Sequence, residues 1–266
     1  MRFLEQVGTG VIQGLAYIGG LTIQFAEGLR ATPRVLPLTG KHGRWYAAIR
    51  QMAVIGVDAL GIIALVSVCI GFILAMQIGS ELRRWGALQY VMDTVAIGFT
   101  REIGPLLTAL VVSGRSGSAF SAEIGTMVVT SEIDALRTMA IDPIEFVLAP
   151  KYVAAIIVIP CLTVASNAFG ILAGWAFMYI ETKINLGMYL DYIYNSIDMR
   201  DVFSGLLKSL IFATIIVEVG CREGFRVKGG PDAVGRSTTS AVVRSTFLVI
   251  LADAFFTAIF YLVRRH

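Results

Sequence analysis

Three ionisable residues lie inside stretches of sequence that are otherwise apolar. Arg101 and Glu102 are adjacent in the run Thr100–Pro105, and Lys208 lies in a second apolar run. A charged side chain at the centre of a membrane costs at least about 2.5–3.5 kcal/mol, so such residues need partners and often mark a functional site. Because adjacent helical residues point about 100° apart, at least one of this pair must face another helix. Lys208 is the expected partner of Glu102.

Two interpretations of this group of charges stay open. It can be a polar network that only stabilises the fold, or it can line a water-accessible lipid cavity. In the second case Arg101 or Lys208 would attract the phosphate of a lipid head group. Apolar residues near the outer half of the preceding helical hairpin would then contact the acyl chains: Leu74, Leu82 and Trp85.

A rival class is an ion-coupled secondary transporter. Its candidate coupling carboxylates are Asp93, Glu102, Glu218 and Asp253. Such transporters are built from internal repeats with paired broken helices, and the sequence shows neither feature.

The sequence lacks the motifs of an enzyme. It has no GxxxxGK[ST], so the chain is not expected to bind ATP in a P-loop, and it has no HExxH or GxSxG. The three cysteines have no metal-ligand or disulfide spacing, and the two histidines are isolated. The sequence therefore predicts no catalytic residue, no metal site and no cofactor in this chain.

The composition indicates which elements carry these residues. Hydrophobic residues make up 56% of the 266 and charged residues 15%, whereas soluble domains carry about 25% charged residues. Apolar runs of about 20 residues predict membrane-spanning helices. Five spans are predicted, over residues 54–78, 87–112, 144–180, 202–219 and 240–263. Pro150 and Pro160 are expected to break the third span, and Pro105 to kink the second.

The placement of charge predicts the orientation in the membrane. Residues 30–50 carry five basic and no acidic side chains, and residues 221–244 are also mainly basic, so both are expected in the cytoplasm. The acidic segment 181–201 is expected outside, which gives a cytoplasmic start and an external end. The mild net charge of +3 fits this topology better than nucleic-acid binding. Residues 1–30 are weakly amphipathic and form either an interfacial helix or an ordinary packed helix.

Small residues recur where helices are expected to approach closely. Ser67, Gly71, Ala75 and Gly79 form one row in the first span, and a second row is formed by Gly117, Ser121 and Gly125. A third signal is the GxxxG pattern of Gly170 and Gly174. Each row predicts tight packing against another helix.

Residues 113–143 form a polar, amphipathic segment between two spans. Its acidic residues alternate with apolar ones, so it is either a solvated loop helix or a helix that docks in a groove of a partner. The residues that would make such a contact are Glu123, Met127, Glu132, Asp134, Leu136 and Asp142.

The same region carries a resemblance to a known family. The blocks Thr100–Pro105, Ser113–Ala119, Ala122–Met127 and Glu132–Leu136 resemble the MlaE-type permeases, the membrane subunits of Mla and Mce lipid ABC transporters. Those transporters move phospholipids or related lipids between membranes. The similarity runs from about Gly56 to the C-terminus, with further matches at Leu207–Ser209 and Gly235–Thr239.

The resemblance implies an all-α integral membrane protein. Residues 1–50 would form an N-terminal interfacial helix and a basic cytoplasmic linker, and residues 51–266 a permease domain of about five transmembrane helices. Two copies would form the core of the transporter in the inner (plasma) membrane, in a system for outer-membrane lipid asymmetry.

The resemblance also implies partners. A cytoplasmic ABC ATPase would bind ATP and Mg and hydrolyse the ATP, and it would meet this chain at a coupling helix over residues 120–142 that includes Glu123 to Asp142. An MCE-domain lipid-binding protein would meet the outer side, and phospholipid would be the substrate.

Overall fold

The computed structural model describes residues 16, 17, 19–28, 30 and 42–265. In these residues every regular element is a helix. From residue 42 onward the α-helices are α1 (His42–Arg84), α2 (Tyr90–Gly98), α3 (Gly104–Val112), α4 (Ser118–Val129), α5 (Glu132–Thr138), α6 (Ala149–Thr182), α7 (Leu186–Ser196), α8 (Met199–Phe225) and α9 (Pro231–Arg265). π-Helical turns at Phe99–Ile103, Ser113–Gly117 and Ile144–Leu148 lie directly before α3, α4 and α6.

The predicted N-terminal elements fall partly outside the described residues. Residues 16, 17, 19–28 and 30 are helical, and residues 42–50 of the predicted linker form the start of α1. The rest of the predicted interfacial helix and residues 31–41 of the linker lie outside the described residues. The interfacial placement of this helix therefore stays a prediction.

Five helical segments in the described part of the chain are long and apolar enough to cross a membrane. They are Trp45–Arg84, Tyr90–Val129, Ile144–Thr182, Met199–Phe225 and Pro231–Leu262. This confirms the predicted all-α membrane architecture with five spans. The helices extend beyond the apolar runs because the polar residues at their ends continue the same helical hydrogen bonding.

Two prolines, Pro150 and Pro160, test whether local sequence alone predicts where a membrane helix breaks. Pro160 lies inside the continuous helix α6, so the prediction that it breaks this span is wrong. Helices in membranes tolerate such a proline because neighbouring groups re-satisfy the backbone. Pro150 follows the π-helical turn Ile144–Leu148, in which the Ala149 N–H bonds to the Ile144 carbonyl five residues earlier. The helical segment runs on from Ile144 to Thr182, so the predicted break at Pro150 is also wrong.

The described chain forms two compact units, each built from segments distant in sequence. The first unit contains the described residues up to Gln51 with Gly117–Ala154 and Val217–Arg244. The second unit contains Met52–Ser116, Ala155–Ile216 and the residues from Ser245 onward.

In the second unit, α1 and α6 pack closely along their small residues. The hydroxyls of Ser67 and Ser166 are 2.8 Å apart, and a Cβ atom on Gly71 would lie 2.2 Å from the carbonyl oxygen of Gly170. Gly170 also borders the buried ring of Phe99. The close approach predicted from the first small-residue row is confirmed.

In the first unit, α4 and its π-helical turn pack on α8. A Cβ atom on Gly220 would lie 2.8 Å from the carbonyl oxygen of Gly117, and one on Gly224 would lie 3.0 Å from that of Ser121. The Ser121 hydroxyl lies 2.6 Å from the hydroxyl of Ser237. These contacts confirm the tight packing that the Gly117–Gly125 row predicts.

The segment predicted to lie outside contains a helix, α7, that the hydropathy pattern does not predict. The Asn185 side chain accepts a hydrogen bond of 2.8 Å from the Met188 N–H and so caps the start of α7. Tyr189 is fully buried in the second unit and donates to the carbonyl of Ile171 at 3.0 Å. Burial raises the pKa of Tyr189, which keeps the phenol protonated as a donor.

Candidate functional site: an ion-pair network on the second span

The centre of the site is Lys208 on α8, whose side chain is 1% exposed. Its ammonium bonds to the carboxylate of Glu102, to that of Asp253 at 2.9 Å and to the hydroxyl of Thr257 at 2.7 Å. An ammonium has three donors, and all three are used here. The Lys208–Glu102 ion pair is the one that the sequence predicts.

Three elements of the second unit bring these groups together. Glu102 lies in the π-helical turn before α3, Lys208 on α8, and Asp253 and Thr257 one helical turn apart on α9. Residues four apart share a helix face, which points both groups of α9 at the ammonium. The Thr257 hydroxyl also donates to Glu102 at 3.1 Å, which closes the network.

Arg101 belongs to a separate ion pair. Its Nε lies 3.4 Å from a carboxylate oxygen of Asp201, near the start of α8, and Asp201 is 7% exposed. The sequence interpretation grouped Arg101 with Glu102 and Lys208, and this grouping needs correction. Adjacent residues point in different directions, so each of the two meets its own partner on α8.

Close backbone packing holds the two ion pairs in place. Gly205 lies between Asp201 and Lys208 on α8, and a Cβ atom there would lie 2.1 Å from the carbonyl oxygen of Thr100. A side chain at this position would push α8 away from the π-helical turn. The glycine therefore permits both ion pairs to form at once.

The π-helical turn that carries both charges has a local cause. Pro105 has no backbone N–H, so the carbonyl of Arg101 loses the partner that an α-helix would give it. The Gly104 N–H bonds to the carbonyl of Phe99, five residues earlier. Such turns occur frequently at functional sites, where they redirect side chains.

The residues predicted to contact acyl chains differ in their exposure. Leu74 and Leu82 are partly buried and pack against the apolar cluster that contains Val91 and Phe99. Trp85 is 82% exposed at the end of the hairpin. Contact of the three with a lipid stays a prediction.

The predicted coupling residues lie in the first unit, around the short helix α5. This helix buries Ile133 and Leu136 and leaves Glu132 and Asp134 exposed, so it is amphipathic. Ser131 before the helix adopts a left-handed conformation with φ of 62°. The two exposed carboxylates lie in the first turn, where the helix dipole favours negative charge.

The other predicted coupling residues have partners within the first unit or are partly buried. Glu123 forms an ion pair of 2.9 Å with the buried Lys151, and Met127 is half-buried in α4. Asp142 accepts a hydrogen bond of 2.9 Å from the Ile144 N–H and orders the turn before α6. A coupling role for these residues stays a prediction.

Sequence reasoning missed several partners in these networks. By sequence, Asp201 falls in the polar segment predicted to lie outside and Asp253 is a candidate ion-coupling carboxylate, and no pattern singles out Thr257 or Lys151. The charged members had a signal, because each lies in or beside an apolar run. Thr257 had none, since a threonine in a membrane span is common.

Comparison with known proteins places the chain in a family. The model of the family described as Permease MlaE matches residues 48–259. A probable ABC transporter permease protein of Rickettsia prowazekii (strain Madrid E) is 36% identical over 213 residues, which cover 80% of this chain and 82% of the relative. A probable ABC transporter permease protein of Synechocystis sp. is 36% identical over 207 residues, covering 78% and 79%.

A plant relative is also similar. The chloroplastic protein TRIGALACTOSYLDIACYLGLYCEROL 1 of Arabidopsis thaliana is 32% identical over 217 residues, which cover 82% of this chain and 62% of that protein. The matches favour an ABC permease over the ion-coupled secondary transporter. The chain belongs to the MlaE permease family and is a multi-pass membrane permease of the ABC transporter class.

Proposed function

We propose that this permease moves phospholipids or related lipids between membranes and is driven by a separate cytoplasmic ATPase. The observation that carries the proposal is the charged network around Lys208, built on apolar helices of an MlaE-family chain. The name of the plant relative contains that of a glycolipid, which supports a lipid as the class of substrate.

We assign different tasks to the two cations, Lys208 and Arg101. Lys208 is buried and its donors are occupied, so it organises Glu102 and Asp253. Arg101 is 25% exposed, so it would be the cation that reaches a head-group phosphate. Leu74, Leu82 and Trp85 would contact the acyl chains.

Coupling to the ATPase would use α5 and the segments beside it. Glu132 and Asp134 offer two exposed carboxylates to a basic groove, and Ile133 and Leu136 anchor the helix in the first unit. A displacement of α5 is then transmitted to that unit. The cycle requires that ATP bind the two states of the transporter with different affinity.

The assembly that we propose has further members. A second copy of this chain would complete the transmembrane core in the inner membrane, and an MCE-domain lipid-binding protein would meet the outer side. ATP and Mg would be bound by the ATPase. The cellular role would be the maintenance of outer-membrane lipid asymmetry.

Purification of the tagged full-length chain in mild detergent tests the proposal. Mass spectrometry of the bound material is expected to find an ABC ATPase, an MCE-domain protein and phospholipid. Recovery of the stable chain with no ATPase and no lipid would overturn the proposal and favour an ion-coupled transporter.

A further inference from the structure

Three guanidinium groups of the first unit surround one aromatic ring. The guanidinium carbons of Arg222, Arg226 and Arg244 lie 5.2, 5.5 and 4.8 Å from the ring centroid of Tyr17. Tyr17 belongs to the described N-terminal helical residues, and the arginines come from the end of α8, from the turn after it and from α9. The ring attracts each cation, but three like charges this close together repel one another.

The carboxylate that pairs with this arginine cluster is already occupied. Glu223 accepts a bond of 2.6 Å from Arg244 and one of 2.8 Å from the Ser240 hydroxyl. Its side chain is only 8% exposed, whereas that of Arg244 is 45% exposed. Glu223 therefore fixes the position of Arg244 from the buried side.

The other two arginines of the cluster form no ion pair with any residue that the structure describes. The Nε of Arg222 is buried and has no hydrogen-bond partner there. Glu218 lies one helical turn earlier, but its carboxylate accepts a hydrogen bond from the Tyr152 hydroxyl instead. Arg226 is exposed and contacts the ring of Tyr17. The charge of Arg226 is therefore available to an anionic ligand.

A groove of about 630 Å³ runs along the first turns of α9 and includes one arginine of the cluster. Its described lining residues are Asp232, Gly235, Arg236, Thr239, Ser240, Val243 and Arg244. Arg236 and Arg244 both line this groove, so their guanidinium groups border one accessible surface. Arg236 is exposed and forms no ion pair within the described part of the chain. Asp232, the acidic lining residue, lies in the first turn of α9, where the helix dipole favours it.

We propose that Arg226, Arg236 and Arg244 bind the phosphate of an anionic lipid of the cytoplasmic leaflet. Residues 221–244 are expected on the cytoplasmic side from their charge, and basic pockets there attract anionic head groups. Val243 lines the same groove and is 63% exposed. An acyl chain that continues from the phosphate would cover this apolar side chain, whereas a free phosphate gains nothing from it.

This inference goes beyond the proposed transport. The arginine cluster and the groove belong to the first unit, whereas Arg101 and Lys208 belong to the second. The lipid in the groove is therefore a bound component of the permease and not its cargo. Its negative charge would offset the repulsion among the arginines around Tyr17 and so hold the N-terminal helix against α8 and α9.

The test uses the full-length chain in an equimolar mixture of phosphatidylglycerol and phosphatidylcholine with identical acyl chains. Native mass spectrometry then measures the ratio of the two lipids that stay bound. The native chain is expected to retain phosphatidylglycerol preferentially. Arg226→Gln with Arg236→Gln is expected to lower the ratio about tenfold, because two cations of the site are lost while no described ion pair is broken.

A matched double variant controls for the loss of positive charge. Arg84→Gln with Arg200→Gln removes two charges from exposed positions of the second unit and is expected to leave the ratio unchanged. Both double variants keep Arg101 and Lys208, so a lipid held as cargo contributes equally to the two measurements.

A second arm distinguishes a lipid from a free phosphate. Inorganic phosphate is added to the native chain with its bound lipid, and sodium chloride of equal ionic strength is the comparison. Phosphatidylglycerol is expected to stay bound in both solutions. Its displacement by inorganic phosphate alone would assign the arginines to a free phosphate and overturn the lipid site.

The remaining outcomes also decide the matter. A fall in the ratio for Arg226→Gln with Arg236→Gln but not for the control would support the site. An unchanged ratio in that variant, an equal fall in the control, or no preference in the native chain would overturn it. Recovery of the ATPase tests the proposed transport separately, so either proposal can fail while the other stands.

Discussion

At the scale of single residues, Lys208 is the charge on which the membrane-embedded network depends. Its ammonium contacts two carboxylates and a hydroxyl, and its side chain is almost completely buried. A buried charge with all its donors satisfied is tolerated, whereas a buried charge without a partner is not. The partners of Lys208 are therefore as important as the lysine itself.

Lys208→Met is expected to destabilise the protein strongly. It leaves Glu102 and Asp253 close together with no cation, and breaking a buried pair in this way costs about 3–5 kcal/mol. Thermal unfolding of the detergent-solubilised full chain, followed by circular dichroism, should show a lower midpoint.

Two further variants make this measurement decisive. Adding Glu102→Gln and Asp253→Asn to Lys208→Met should recover most of the loss, because no unpaired charge is left. Lys228→Met, at an exposed position, should unfold like the native chain. If Lys208→Met also unfolds like the native chain, the network does not stabilise the fold.

At the scale of elements, rows of small residues determine which helices meet. α1 and α6 approach through Gly71 and Gly170, and α8 approaches α4 through Gly220 and Gly224. In a membrane the helices gain little from hydrophobic burial, so close backbone contact is a main source of association. The ion pairs on α8 depend on a similar contact at Gly205.

Gly71→Ala is expected to weaken the packing of α1 on α6. The new methyl group would lie 2.2 Å from the carbonyl oxygen of Gly170, and backbone shifts that relieve such overpacking cost about 1–3 kcal/mol. Gly61→Ala on the same helix is the matched control, because no atom lies within 4 Å of its new methyl group. Equal unfolding temperatures for the two variants would contradict this account of the contact.

At the scale of the whole molecule, the ion-pair network and the proposed coupling helix lie in different compact units. The second unit contains the ion-pair network, and the first contains α5 with its exposed carboxylates. The long helices α1, α6, α8 and α9 each contribute residues to both units. The proposed transport cycle therefore has continuous helices through which the coupling segment can act.

Reversal of charge at Glu132 and Asp134 is expected to release or uncouple the ATPase without unfolding the spans. Both side chains are exposed, so their replacement by lysine costs the fold little. Retention of the ATPase and lipid-stimulated ATP hydrolysis are the two quantities to measure. Unchanged hydrolysis with Glu132→Lys and Asp134→Lys would count against coupling through α5.

A matched double reversal controls for the added positive charge. Glu81→Lys and Asp191→Lys alter two exposed carboxylates away from α5, Glu81 near the end of α1 and Asp191 on α7 in the segment that is predicted to lie outside. This variant is expected to retain the ATPase with native activity. Loss of the ATPase in the control would show that added positive charge alone causes the effect.

The amino-acid sequence by itself determined the membrane spans and three of the charged residues of interest. Hydropathy located five spans, the period of small residues located their close contacts, and the cost of charge in a membrane identified Arg101, Glu102 and Lys208. These signals are local, because each depends on neighbours within a few helical turns. The amphipathic pattern of α5 was visible for the same reason.

Only the tertiary structure decided which charges pair and which of them are accessible. Glu102 and Lys208 are 106 residues apart, and the pairing of Arg101 with Asp201 depends on how α8 packs against a π-helical turn. No local pattern encodes such a register. Pro160 lies inside the continuous helix α6, so even a strong local signal for a break does not decide where a membrane helix ends. Glu102 is partly exposed while its partner Lys208 is buried, and this difference follows from the packing alone.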